Sequence, residues 1–256
     1  MMLYSAKELQ GYAIHARDGD LGKVQTFYFD DHDWGIHYLV VQTGSWFSSH
    51  YVLLPADVLG QPARETQRLS VTLTQDEVRQ SPEVPNRTST STSHETAMRA
   101  SGSRSIYWST DPFVLNSLAA RPASVPIPAR PPERTHPQAA DMQGAGAPLR
   151  STREVLDYYI QATDGEIGHV EDFLIDPDTW HIRYMVVDTR NWLPGRKVLV
   201  FPKWINQIRW EERKVDVDLA REQIKNSPEF DPDAPLDRAY ESRLFGFYDR
   251  PRYWDD

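Results

Sequence analysis

Apolar and polar residues alternate along several short stretches of the chain, a pattern typical of β-strands in a sheet. In residues 34–43, Tyr38 and Val40 fall on one face, and Leu39 and Val41 fall on the other. We expect the first face to point into the core. Because the second face is also apolar, we expect it to be covered by another part of the chain or by a partner protein.

Turn signals separate these stretches. Asp18-Gly19 lies between two extended segments, and an Asp-Gly pair is a strong hairpin signal. Gly22 lies inside the next strand pattern, where glycine marks a bulge or the close approach of another backbone. Further strands are predicted at residues 21–29, 51–54 and 69–73. A short helix follows, because Thr74 and Glu77 have the spacing of a capping box. Short strands at this density predict a small, mainly β barrel.

The pattern occurs twice. Asp18-Gly19 corresponds to Asp164-Gly165, and the same spacing of 146 residues relates many other identical residues. These pairs include Tyr12 and Tyr158, Gly22 and Gly168, Trp34 and Trp180, and Trp46 and Trp192. A one-residue gap aligns Pro55 with Pro202. The sequence therefore predicts two copies of one unit.

Composition shifts divide the chain into four parts. Repeat 1 spans residues 1–83 and repeat 2 spans residues 151–229, followed by an aromatic C-terminal extension at 230–256. Residues 84–150 between them are rich first in Ser and Thr and then in Pro, so we expect a disordered, semi-stiff linker. The apolar second face of repeat 1 has its counterpart at Met185 and Val187. Both repeats are therefore expected to carry an outer stripe that binds a partner.

Charge and composition exclude several function classes. The net charge of −9 and the pI near 5.4 disfavour a nucleic-acid-binding protein. The chain has no cysteine, which excludes disulfides, thiolate metal sites and cysteine nucleophiles. Neither a signal peptide nor a membrane-spanning run is predicted. We expect a cytoplasmic protein, with peripheral attachment to a membrane complex as the alternative.

Each copy resembles the PRC-barrel family. The resemblance is carried by "S-x-x-E-L-x-G-Y-x-I" at residues 5–14, "D-G-x-L-G-x-V-x-x-F-x-x-D" at 18–30 and "W-x-I-x-Y-L-V-V-x-T" at 34–43. The family is named for the cytoplasmic barrel of the photosynthetic reaction centre H subunit, and a similar barrel ends a ribosome-maturation factor. As a stand-alone tandem form, the chain is similar to bacterial PRC-barrel proteins. The resemblance implies two small β-barrels, each followed by a short helix, that contact partner proteins rather than perform chemistry.

From this resemblance we expect a non-enzymatic interaction or scaffold protein that needs no cofactor. Two alternatives are an accessory of membrane electron transfer, similar to the H subunit, and a ribosome-associated assembly factor. The partner proteins are not identified by the sequence. Contacts between the repeats or between copies of the chain are expected in each case.

The acidic turn of repeat 1 is a candidate metal site. Asp30, Asp31 and Asp33 offer the hard oxygen ligands that Ca²⁺ prefers. However, the EF-hand spacing is absent, and repeat 2 has Pro177 and Thr179 in place of two of these acids. Turn formation is therefore the favoured role of this stretch. No catalytic residue is predicted.

Tryptophans are the remaining candidates for function. Trp46 and Trp192 lie in predicted loops, where they would either cap the core or anchor a partner, since Trp is enriched among interface hot spots. Trp34 and Trp180 each begin a strand beside a turn. We expect these two to close the end of a barrel, because aromatic burial dominates small cores.

Overall fold

The computed structural model describes residues 2–45, 48–83, 149–189, 196–234 and 236–255. The predicted linker at 84–150 lies outside the described residues except for Leu149 and Arg150. Arg150 belongs to the first strand of repeat 2, so this repeat begins at least one residue earlier than predicted. The loop tryptophans Trp46 and Trp192 also lie outside the described residues.

Repeat 1 consists of short strands with two short helices and one 3-10 turn. Its elements are β1 (Tyr4–Ser5), α1 (Ala6–Leu9), β2 (Ala13–Ala16), β3 (Gly19–Phe29), β4 (Ile36–Ser45), β5 (Ser48–Pro55), η1 (Ala56–Val58), β6 (Leu59–Ala63), β7 (Arg68–Val71) and α2 (Gln75–Arg79). The predicted capping box begins α2, with Thr74 as the N-cap and Glu77 at the third helical position.

Repeat 2 follows the same order and adds a longer C-terminal helix. Its elements are β8 (Arg150–Ser151), α3 (Thr152–Val155), β9 (Tyr159–Ala162), β10 (Gly165–Asp176), β11 (His181–Asp188), β12 (Lys197–Val200), η2 (Pro202–Trp204), β13 (Ile205–Arg209), β14 (Lys214–Val217), α4 (Arg221–Asn226) and α5 (Arg238–Phe247). The duplication predicted from the sequence thus extends to every described element of repeat 1.

The strands form two mixed sheets. Hydrogen bonds link them in the order β5-β4-β3-β2-β7-β6 in the first sheet and β12-β11-β10-β9-β14-β13 in the second. Neighbours are antiparallel except for β2 with β7 and β9 with β14, which are parallel. The mainly β class is confirmed. Within the described residues each path has two ends, so the hydrogen bonds do not close a ring, and the barrel stays a prediction.

Each repeat places its first strand in the sheet of the other. β1 pairs antiparallel with β10 of repeat 2, where Tyr4 lies opposite Ile175. Reciprocally, β8 pairs with β3 of repeat 1, where Arg150 lies opposite Phe29. The helices α1 and α3 follow these strands and contact the same receiving strands. The two sheets are therefore joined by main-chain hydrogen bonds as well as by side chains.

A single spacing of 146 residues relates the two sheets throughout. Equivalent ladder pairs include Leu39–Leu54 in the first sheet and Met185–Val200 in the second. It follows that Pro55 corresponds to Phe201, one residue before Pro202. The one-residue gap in the sequence alignment was wrong, because it matched two prolines that occupy different positions of the chain.

The predicted outer stripes are part of the main core. All four of the proposed partner-binding residues on these stripes are 0% exposed: Leu39, Val41, Met185 and Val187. The two faces of the strand were exchanged in the prediction, because Leu39 lies opposite the fully buried Phe27. Val40 points to the other side, where it forms a separate apolar cluster with Tyr28 and Leu53. These four stripe residues are inaccessible to a partner.

In repeat 2 the C-terminal extension covers the outer face of the sheet. Phe245 of α5 packs on Phe201, with ring centroids 5.2 Å apart, and Tyr253 stacks on the same ring at 5.5 Å. The hydroxyl of Tyr184 donates a 2.8 Å hydrogen bond to Glu241 of α5. Burial, together with this carboxylate, raises the pKa of the Tyr184 phenol, so it remains a donor. The chain itself thus supplies the cover for this face.

Candidate functional site

The predicted hairpins are present at the start of both repeats. Ala16 pairs with Gly19 across the first hairpin and Ala162 pairs with Gly165 across the second. The two-residue turns are therefore Arg17 to Asp18 and its equivalent, one residue earlier than the Asp-Gly pairs. Both glycines have a positive φ, which an L-residue rarely adopts. The prediction of hairpins is confirmed, and its turn register is corrected.

The aspartates of these turns cap the helices that follow the last strands. Asp18 accepts a 2.8 Å hydrogen bond from the backbone N–H of Gln75, the first residue of α2. Asp164 accepts the equivalent bond from Arg221 in α4 at 2.7 Å. A carboxylate in this position satisfies a free helix N–H. The two acids therefore have a structural role.

The strand glycines mark a close approach of two backbones, as predicted. Gly22 and Gly168 have φ angles of 70° and 68°. A Cβ atom on Gly22 would lie 2.4 Å from the carbonyl oxygen of Gln42, and one on Gly168 would lie 2.1 Å from that of Asp188. No side chain fits at these distances, so the glycines permit the tight packing of β3 on β4 and of β10 on β11.

The acidic turn of repeat 1 brings three possible metal ligands together. Asp30, Asp33 and His37 each offer a ligand atom, and these atoms all lie within 4.8 Å of one another. Asp31, the third predicted acid, is not part of this group, and burial followed by the charge of Asp30 raises its pKa. The carboxylates of Asp30 and Asp33 accept backbone hydrogen bonds within the turn, at 2.8 and 2.7 Å. The turn role is therefore confirmed.

In repeat 2, an arginine side chain from the following strand binds the aspartate of the equivalent turn. Arg183 corresponds to His37 and donates two hydrogen bonds to Asp176, at 3.0 and 2.8 Å. Thr179 donates a third at 2.9 Å. Burial disfavours the charge of this carboxylate, but the hydrogen bonds outweigh burial and lower the pKa of Asp176. Sequence reasoning missed both the candidate ligand His37 and this ion pair, because His37 and Arg183 lie on the strands that follow the two turns.

Trp34 and Trp180 lie where the repeats meet. The carbonyl of Trp34 accepts a hydrogen bond from Ile182 of the other repeat at 2.9 Å, and that of Trp180 accepts one from Ile36 at 2.7 Å. The ring of Trp180 stacks on Phe27 of repeat 1, with centroids 6.0 Å apart. Both tryptophans are buried, as predicted. They lie at the junction of the repeats, and their role in closing a barrel end stays a prediction.

Both tryptophans also have a left-handed backbone. Their φ angles are 63° and 51°, a conformation that costs a bulky L-residue about 1–2 kcal/mol. Such strain persists only where surrounding contacts fix it. Here the reciprocal hydrogen bonds across the junction supply those contacts. The left-handed backbone of both tryptophans therefore depends on the pairing of the two repeats.

Side chains fasten the exchanged strands. The hydroxyl of Ser5 donates a short hydrogen bond to Asp172 of β10, whose other oxygen accepts the backbone N–H of Lys7 at 3.1 Å. On the opposite side, Thr26 of β3 bonds the hydroxyl of Ser151 at 2.8 Å. Burial raises the pKa of Asp172, and the hydrogen bonds from Ser5 and the backbone oppose that rise. The junction thus contains polar side-chain contacts as well as aromatic ones.

The remaining predicted site residues, Trp46 and Trp192, lie outside the described residues, so their role as partner anchors stays a prediction. On the described part of the chain, the exposed large apolar side chains are those of Met2, Tyr159 and Phe247. They lie singly, and single exposed apolar residues are ordinary on protein surfaces.

The described helices are all too short or too polar to cross a membrane. No protein-family model matches this sequence, and no curated protein matches it.

Proposed function

We propose that this protein is a non-enzymatic scaffold in which two PRC-barrel-like units bind partner proteins. The observation that carries the proposal is the reciprocal exchange of β1 and β8 between the two sheets. Equivalent residues contact each other across the junction, as in an isologous dimer. The exchange therefore holds two related units in one fixed arrangement within a single chain.

A fixed pair of related units suits a binding protein because it presents two equivalent surfaces at a set separation. Occupying both surfaces at once strengthens binding well beyond the affinity of either surface. The surfaces best suited to this role are the loops between β4 and β5 and between β11 and β12. They contain Trp46 and Trp192 at equivalent positions of the two repeats.

The charge of the chain indicates the chemistry of the partner. The net charge of −9 favours a protein with a basic surface, since complementary charge accelerates association and selects partners. This proposal includes neither a catalytic step nor a cofactor.

The proposal is tested by affinity purification of the full-length protein after chemical cross-linking in its own cells. Trp46→Ala and Trp192→Ala should each reduce capture of a stoichiometric basic partner, and the double variant should reduce it furthest. Phe247→Ala is the matched control, because Phe247 is an exposed aromatic residue of α5 and belongs to neither loop. Its capture should equal that of the wild type.

Circular dichroism must show that all variants remain folded. Raised salt should weaken capture, because exposed charges are screened. Equal capture by the wild type and the double tryptophan variant would contradict the proposed binding surfaces.

A further inference from the structure

The outer face of the first sheet carries a separate apolar cluster. Its buried members, each at most 6% exposed, are Tyr28, Val40 and Leu53. The partly buried residues packed against them are Tyr38, Tyr51 and Leu149. In repeat 2 the equivalent face is covered by the C-terminal extension with α5, whereas the described part of repeat 1 ends at residue 83 and has no counterpart of α5. Because sheet side chains this buried need a layer packed on them, a further segment is needed on this face.

The chain leaves both sheets at the same place. In repeat 1, Glu83 pairs with Val52 at the edge of β5. In repeat 2, the backbone N–H of Phe230 donates a 2.8 Å hydrogen bond to the carbonyl of Lys197 in β12, which is the equivalent edge strand. The C-terminal extension continues from there over the outer face of its sheet. The residues that follow Glu83 therefore start where they can reach the outer face of repeat 1.

Residues 91–108, which lie outside the described residues, match the part of the extension that packs on the second sheet. At the same spacing of 146 residues, the identical or similar pairs are Ser91 and Asp237, Glu95 and Glu241, Met98 and Leu244, Arg104 and Arg250, Tyr107 and Tyr253, and Trp108 and Trp254. Asp237 is the N-cap of α5, and serine is equally suited to that position. The order of N-cap, glutamate, apolar residue and Arg-x-x-Tyr-Trp thus occurs in both copies.

One carboxylate of this pattern joins the extension to the second sheet. Glu241 is 4% exposed, and its Oε1 accepts hydrogen bonds from the hydroxyls of Tyr184 at 2.8 Å and Tyr253 at 2.9 Å. Tyr184 belongs to β11, whereas Tyr253 follows α5. Each of the three has an identical counterpart 146 positions earlier, namely Tyr38, Glu95 and Tyr107. Three residues that form one contact in repeat 2 are therefore all present in repeat 1.

We propose that residues 91–108 bind to the outer face of repeat 1, as residues 237–254 bind to that of repeat 2. Glu95 accepts hydrogen bonds from Tyr38 and Tyr107, and Met98 takes the place of Leu244, which is 0% exposed. The linker between the repeats then begins after residue 108. This inference is independent of the proposed partner binding, since it uses neither loop tryptophan.

One aromatic contact of repeat 2 has no counterpart in repeat 1. Phe201 and Phe245, whose rings lie 5.2 Å apart, correspond to Pro55 and Arg99. We therefore expect the segment to bind less tightly than the C-terminal extension does. Because these two positions face each other in repeat 2 and take no part in the tyrosine–glutamate contact, they are suited to cross-linking.

The natural absence of cysteine allows a cross-linking test on the full-length chain. Pro55→Cys and Arg99→Cys are introduced together and joined by a short bismaleimide. We expect the intrachain reaction to be about tenfold or more faster than in the same chain with three further alanine substitutions, because a bound segment has a higher effective concentration than a tethered one. These substitutions are Glu95→Ala, Tyr107→Ala and Trp108→Ala. Glu133→Ala, which removes a carboxylate beyond the segment, is the matched control and should leave the rate unchanged.

A double-mutant cycle in the otherwise natural chain tests the hydrogen bond itself. Tyr38→Phe and Glu95→Ala should each raise the equilibrium constant of unfolding in urea. Their combined effect should fall short of the product of the single effects by about fivefold or more, because both remove the same contact. Tyr38→Phe combined with Glu133→Ala is the matched pair, and its effects should multiply.

Circular dichroism establishes that each variant is folded, and the cycle keeps the test decisive if the cysteine variant is not. The proposal is overturned if the triple alanine variant cross-links as fast as its parent, or if the effects of Tyr38→Phe and Glu95→Ala simply multiply. Cross-links that join two chains would assign the outer face to a second copy of the protein and would also overturn it.

Discussion

Gly168→Ala is the sharpest test of how the strands pack within a repeat. The φ of Gly168 is 68°, and a left-handed backbone costs an alanine about 1–2 kcal/mol. The added Cβ would lie 2.1 Å from the carbonyl oxygen of Asp188 and 3.0 Å from the Cα of Thr189. Both neighbours are backbone atoms, so β10 and β11 must separate, which adds about 1–3 kcal/mol. We expect the variant to lose about 2–5 kcal/mol of unfolding free energy.

Urea unfolding followed by tryptophan fluorescence measures this loss. Gly22→Ala should behave in the same way, because its Cβ would lie 2.4 Å from the carbonyl oxygen of Gln42. Gly246→Ala is the control, since Gly246 lies within α5 and its Cβ would meet no atom within 4 Å. This control should gain about 0.5–1 kcal/mol from helix propensity. A Gly168→Ala protein within about 0.5 kcal/mol of the wild type would refute the reasoning.

Two further predictions concern buried carboxylates. Burial raises the folded-state pKa of Asp172, so the ionised carboxylate costs stability, and that cost grows as the pH rises through the folded pKa. The unfolding free energy of Asp172→Asn relative to the wild type should therefore increase from pH ~3 to pH ~7, and a flat difference would contradict this. Arg183→Met should cost about 2 kcal/mol in chemical unfolding, because it leaves Asp176, 2% exposed, without its counter-ion. His37→Met at the equivalent position of repeat 1 should cost less than half as much, and equal costs would count against a special role for the ion pair.

Much of each repeat could be predicted because its signals are local. The Asp18-Gly19 hairpin, the Gly22 close approach and the Thr74 capping box each depend on a few neighbouring residues. The spacing of 146 residues between the repeats could also be found from the sequence alone. It relates every described element of repeat 1 to its counterpart in repeat 2. Comparing the two copies in sequence showed which acidic residues occur in both turns. Asp18 and Asp164 are such a pair, and in the structure both cap helices.

The arrangement between the repeats could not be predicted because it depends on contacts distant in sequence. The alternation in β4 shows that two faces exist, but not which one is inner. Paired substitutions can also keep a contact in both repeats while changing both of its residues. A residue-by-residue comparison of the two copies does not detect such a contact. The guanidinium of Arg64 lies over the ring of Tyr4 at 4.7 Å, whereas Arg150, equivalent to Tyr4, lies over Trp210 at 4.1 Å. The cation and the ring have changed places, so neither position matches between the copies.

The central claim is that exchanged strands join the two repeats independently of the covalent connection. A specific protease site placed within residues 121–132 allows the purified chain to be cut between the repeats. The account predicts that the two fragments co-elute in size-exclusion chromatography and separate only when urea unfolds them. Fragments that elute separately in native buffer, each still folded by circular dichroism, would contradict it.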